Sequence, residues 1–116
     1  MIDIVYHIEA AMLGEFEQLV LLAVLRAGDD AYGVTIRGAI VRESRRDVSL
    51  AAVYKTLNRL EDKGLVLARV GEPTPERGGR RKRYYALTAA GRRSLRQSVQ
   101  VLQRMARGLD LGLESL

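Results

Sequence analysis

The 116 residues amount to one domain, with 47% apolar residues to fill a modest core and 28% charged residues outside it. The chain has no cysteine and a single histidine, His7, which excludes disulfides, thiolate catalysis, Cys-ligated metal sites and any multi-His centre. Nineteen Lys and Arg against fourteen Asp and Glu give a net charge of +5 and favour a polyanionic partner.

That charge is unevenly spread: residues 1–30 carry −5, residues 31–107 carry +12 and the last nine carry −2. The longest apolar run, Leu19 to Leu25, is far too short to span a bilayer. Met1-Ile2-Asp3-Ile4 carries acid where a secretory signal carries base, so no membrane association and a cytoplasmic location are expected.

Val5, Ile8 and Met12 share the apolar spacing of the segment that begins at Leu13. Residues 1–12 therefore read as an N-terminal arm or a helix extension, with Gly14 as a weak joint. Residues 13–27 read as a core helix, from the three- and four-residue spacing of Phe16, Leu19, Val20, Ala23 and Ala27, and Gly28 is its stop. Asp29-Asp30 offers a cap for a second helix over 31–43, buried along Tyr32, Ile36 and Ala39/Ile40. Gly33, in its first turn, implies that another group passes close by. Residues 43–47 read as a loop.

Ser49 caps a third helix over 50–63, stopped by Lys63-Gly64 and buried along Val53, Leu57 and Leu60. Ala51, Ala52, Lys55, Asn58, Arg59 and Asp62 fall on its other face, with Tyr54 at the border. Residues 65–70 and 81–87 suit two strands of a hairpin, with Tyr84 and Tyr85 facing opposite ways. Between them lies a Gly- and Pro-rich tip, and residues 77–83 hold five positive charges: Arg77, Arg80, Arg81, Lys82 and Arg83. Thr88 caps a last helix over about 89–109, whose narrow seam of Leu95, Val99, Leu102, Met105, Ala106 and Leu109 is expected to pack against a second subunit.

Three short helices followed by a basic hairpin make a mainly α winged helix-turn-helix fold. The expected organisation is an arm at 1–12, a DNA-binding domain at 13–87 and a dimerisation helix at 88–116. A helix entering the major groove of double-stranded DNA needs a small-faced approach and polar readers. Ser49, Ala51 and Ala52 supply the approach, while Lys55, Asn58 and Arg59 supply donors. The Tyr54 hydroxyl can bond a phosphate, and the hairpin bases can follow the backbone or enter the minor groove. Glu61, awkward beside phosphate, is expected to pair with a nearby Arg.

The chain resembles the PadR family of winged-helix transcriptional regulators, in the short form with a single C-terminal helix, from Leu13 to about Arg107. The residues that carry the resemblance are Leu13-Gly14-Glu15-Phe16-Glu17, Tyr32-Gly33, Val53-Tyr54-Lys55-Thr56-Leu57, Arg59-Leu60-Glu61, Gly64-Leu65-Val66, Arg81 to Thr88, and Gly91. The resemblance implies a homodimer with crossed C-terminal helices, usually a repressor, in which Tyr54, Lys55, Arg81, Lys82 and Arg83 touch DNA. Some short members hold flat aromatic compounds between tryptophans. This chain has no Trp, so that type of pocket is not expected, and a small-molecule inducer is left unidentified. No phosphate-binding loop, nucleophile elbow or catalytic acid pair is present, so neither an enzyme nor a cofactor is expected. The competing reading is a winged-helix module that binds protein; it calls for apolar surface on the third helix or the hairpin, and the sequence is read as offering neither.

Overall fold

A computed structural model describes residues 12–72 and 81–113. The elements are α1 (Glu15–Ala27), a 3-10 turn (Gly28–Asp30), α2 (Gly33–Ser44), α3 (Leu50–Asp62), β1 (Val66–Val70), β2 (Arg83–Leu87) and α4 (Ala89–Ala106). The fold is mainly helical with one antiparallel hairpin, as expected. Val5, Ile8, Arg77 and Arg80 lie outside the described residues.

α1 starts at Gly14, whose backbone is extended and whose N–H donates to Glu17 Oε1 at 2.9 Å. The described helix therefore does not continue upstream through Gly14. Val20, Leu21, Ala23 and Val24 are buried, and α1 packs on α2, α3, β2 and α4. Its C-terminus is stopped by Gly28 at φ 60, a conformation that costs a Cβ-bearing residue energy.

The cap of α2 differs from expectation. Gly28–Asp30 turn as a 3-10 segment, and Ala31 is extended because its carbonyl accepts the Tyr85 N–H at 2.8 Å. The helix start thus moves to Tyr32, whose N–H donates to Thr35 Oγ1 at 3.0 Å. At the other end α2 runs on to Ser44, and Arg45 then leaves the helix at φ 58. Arg37 Nε donates to the Val48 carbonyl at 2.6 Å, and Arg46 pairs with Glu15, fixing the turn that leads into α3.

Ser49 caps α3 by accepting the Ala52 N–H at 3.0 Å, and Val53, Leu57 and Leu60 are fully buried. In the hairpin Val66 faces Leu87, Ala68 faces Tyr85 and Val70 faces Arg83. A Gly71 N–H to Lys82 carbonyl bond of 2.8 Å extends the ladder by one step. Tyr85 is buried and Tyr84 is half-buried, so the two face opposite ways.

Thr88 joins the hairpin to α4. Its hydroxyl accepts from the Gly91 N–H at 3.0 Å and donates to the Gly64 carbonyl at 2.7 Å. A Cβ on Gly91 would lie 2.0 Å from the Leu65 carbonyl oxygen, so only glycine lets α4 dock this closely.

The C-terminal seam needs two corrections. Leu95 is 5% exposed and belongs to the core of its own domain, with Val99 packed against it. α4 ends at Ala106 and Gly108 adopts φ 79, so Leu109 is not on the helix. What remains outward on α4 is Leu102 and Met105, 60% and 74% exposed, together with Val101.

Candidate nucleic-acid interface

The buried stripe of α3 decides what its other face presents. With Val53, Thr56, Leu57 and Leu60 turned into the core, Ala51, Lys55, Asn58 and Arg59 are exposed and Ala52 is half-buried. The approach to the helix is small and its middle carries one amide and two cations, a donor set suited to base edges and phosphate. Tyr54 is partly exposed, but its ring lies over the first turn of α2. A Cβ on Gly33 would sit 2.3 Å from the Tyr54 hydroxyl oxygen, so this phenol is the group whose close passage Gly33 implied.

The hairpin contributes Arg81, exposed, and Lys82, half-buried with its Nζ 4.6 Å over the Tyr32 ring. Arg83 is placed differently from these two. Its Nη2 lies 3.0 Å from both carboxylate oxygens of Glu61, and its guanidinium rests over Tyr85. Glu61 therefore has the arginine partner expected of it, and that partner is Arg83. The contact with Glu61 first, then that with Tyr85, strengthens the hold of Arg83 on its proton.

Two further features carry no periodic signal in the sequence. Tyr32 and Tyr84 meet edge to face at 5.7 Å between ring centres, with the Arg69 guanidinium 4.6 Å over Tyr84. The buried Glu17 accepts from Lys63 Nζ at 2.7 Å, joining α1 to the residue that ends α3. Burial pushes the Glu17 carboxyl up. The hydrogen bonds from Lys63 and the Gly14 N–H, with the charges of Lys63 and Arg59, outweigh it and hold the group below its usual value.

An open apolar groove of about 440 Å³ lies between Met12–Leu13 and the outward part of α4, lined there by Gln97, Val101 and Leu102. The hairpin also departs from expectation, because Leu67 and Val70 on β1 are 66% and 58% exposed. Leu67 leaves the strand on the face opposite the buried Val66, whereas Val70 shares the face of Val66 and is exposed at the far end of the strand. Among the described residues no cluster of His, Cys, Asp or Glu could hold a metal ion, and no helix is long and apolar enough to cross a membrane.

Residues 21–97 match the family model described as the transcriptional regulator PadR-like family. The chain belongs to that family. This PadR-like chain also shares its fold with solved structures. A PadR family transcription regulator from Clostridium difficile R20291 is 24% identical, with 85% of this chain and 99% of that one covered at a TM-score of 0.63. A PadR-like transcription factor from Bacteroides fragilis is 20% identical, with 96% and 99% covered at 0.66. A PadR family transcriptional regulator from Eggerthella lenta DSM 2243 is 23% identical, with 98% and 96% covered at 0.61. No curated protein matches the chain. The family is one of transcriptional regulators rather than enzymes, and the winged-helix architecture agrees with it.

Proposed function

We propose that this PadR-like protein is a homodimeric, sequence-specific DNA-binding repressor acting on a two-fold operator. The observation that carries the reading is the outward face of α3, where Ala51 and Ala52 precede Lys55, Asn58 and Arg59 while the opposite stripe is fully buried. Each α3 enters a major groove with half-sites about one helical turn apart, ~10 bp. Asn58 and Arg59 read base edges. Tyr54, Lys55, Arg81 and Lys82 bind phosphate, joined by Arg77 and Arg80, which precede Arg81 in the same basic stretch of sequence. Ser49 serves the same face by holding the N-terminus of α3. Leu102, Met105 and the half-buried Ala106 on α4, with the groove beside Met12, form the seam between subunits. Repression follows if the bound dimer occludes a promoter, and this part of the reading rests on family membership.

The test is a gel shift on duplex DNA from the region upstream of the protein's own gene, competed with random duplex at two salt concentrations. Preferential retention of the upstream duplex and a steep loss of affinity with salt are expected. Equal competition by random duplex, or binding insensitive to salt, contradicts the proposal. Exposed Leu67 and Val70 favour a second reading, a winged-helix module that docks protein through β1. Loss of DNA binding in a Leu67→Ser, Val70→Ser variant, with the fold retained, would count against it, because those side chains would then serve the DNA-binding form.

A further inference from the structure

The hairpin strand β2 is held from both sides. Arg83 and Tyr85 leave the strand on one face and Tyr84, between them, leaves it on the other. On the first face Arg83 Nη2 meets both oxygens of Glu61 at 3.0 Å, and Glu61 stands in the last turn of α3. On the second face Tyr84 meets Tyr32, the residue that starts α2, at 5.7 Å and is covered by Arg69 from β1. The backbone adds a third tie through the Tyr85 N–H to the Ala31 carbonyl. A two-stranded ribbon alone is marginal in water, so its angle to the helices is set by these ties together with the burial of Val66 and Tyr85 in the core.

We propose that the Glu61–Arg83 pair, backed by Tyr32–Tyr84, is a brace that fixes the hairpin at a set angle and distance from α3, making Arg83 a positioning residue rather than a phosphate ligand. The inference deepens the DNA-binding reading and rests on it for its consequence. Two elements that touch one duplex gain from each other only when their separation matches it, and a ribbon swinging freely loses that gain. The sign of one substitution separates the alternatives. If Arg83 bound phosphate and Glu61 merely competed for it, removing the acid would free the arginine and tighten binding. If the pair is a brace, removing the acid loosens the hairpin and weakens binding although the protein becomes more positive.

The experiment uses full-length Glu61→Gln and the charge swap Glu61→Arg, Arg83→Glu, with the duplex from upstream of the protein's own gene as probe. Glu61→Gln is expected to bind roughly ten-fold more weakly with a shallower salt slope, because a loosened hairpin makes fewer phosphate contacts. Arg81→Ala is expected to cost less in that background than in the wild type. The charge swap is expected to return affinity to within about three-fold of wild type, whereas Arg83→Glu alone does not. Tighter binding by Glu61→Gln, or a swap as weak as Arg83→Glu, overturns the proposal. A DNA-free readout keeps it distinct from the functional reading: amide exchange at Gly71 and Tyr85 is expected to accelerate in Glu61→Gln. Unchanged exchange at both positions overturns the brace even where DNA binding is intact, and failure of the wild type to bind any duplex overturns only the functional reading.

Discussion

The Tyr54 hydroxyl occupies the space from which a side chain on Gly33 would have to grow, 2.3 Å from where that Cβ would lie. This contact joins the first turn of α2 to α3, so α3 is held by its neighbour through an aromatic ring. It also couples a position expected to bind phosphate to one where any side chain must displace the Tyr54 ring.

Two alanine substitutions in the same helix are therefore expected to have opposite signs. Gly33→Ala drives a methyl into the Tyr54 ring and should destabilise by about 1–3 kcal/mol. Gly38, also in α2, has open space around its missing Cβ, and Gly38→Ala should stabilise by about 0.5–1 kcal/mol through helix propensity. Urea midpoints of the two variants check this. Tyr54→Ala should recover much of the loss in a Gly33→Ala background, since it removes the atoms that clash.

The Glu17–Lys63 pair predicts how the fold responds to acid. Glu17 is buried and held below its ordinary value of 4.5, so its folded form is the better acid. Its contribution is complete at neutral pH, starts to fall as pH drops below about 4.5, and is gone once pH passes its lowered folded value. Glu17→Gln should cost about 1–3 kcal/mol at pH 7, because Lys63 and the Gly14 N–H lose a charged acceptor. The same comparison at pH 3 should give a smaller difference. A gap in urea midpoint that stays constant from pH 7 to pH 3 would contradict the assignment.

The core of this fold is legible in the sequence because burial follows helical period, and Val53, Leu57 and Leu60 mark the buried stripe of α3 by their spacing alone. Gly33 and Gly64 are informative for the same reason, since each marks a local geometric need. The start of α2 is not legible, because Asp29 and Asp30 are good caps in isolation while a long-range bond from Tyr85 holds Ala31 extended and postpones the helix. Leu95 reads as part of a subunit seam because a heptad-like stripe does not say which portion of it meets its own core. Arg83 resembles its basic neighbours in sequence; only the tertiary position of Glu61 separates it from Arg81 and Lys82.

The two parts of the α4 stripe should respond differently to substitution. Leu95→Ala removes a buried side chain and should lower stability by about 2–5 kcal/mol. Leu102→Glu with Met105→Glu changes side chains already in solvent and should leave the fold intact. If these two side chains cover each other in a dimer, the double variant sediments as a monomer under conditions where the wild type does not. Unchanged sedimentation would place the subunit seam elsewhere.

Base reading and phosphate binding separate by salt dependence. Arg81→Ala should weaken binding to upstream and random duplex alike and reduce the magnitude of the log–log salt slope by about 1, because one counterion-releasing contact is lost. Lys55→Ala should behave in the same way from the α3 face. Asn58→Ala or Arg59→Ala should instead narrow the difference between the two duplexes by about 1–3 kcal/mol, since a bidentate base contact carries discrimination rather than bulk attraction. Arg59 also lies near the Glu17–Lys63 pair and contributes to the field on Glu17, so its variant needs a urea midpoint beside the binding curve. Loss of discrimination at unchanged midpoint identifies a base reader. Loss of both would assign Arg59 to the support of α3, leaving Asn58 to carry the reading.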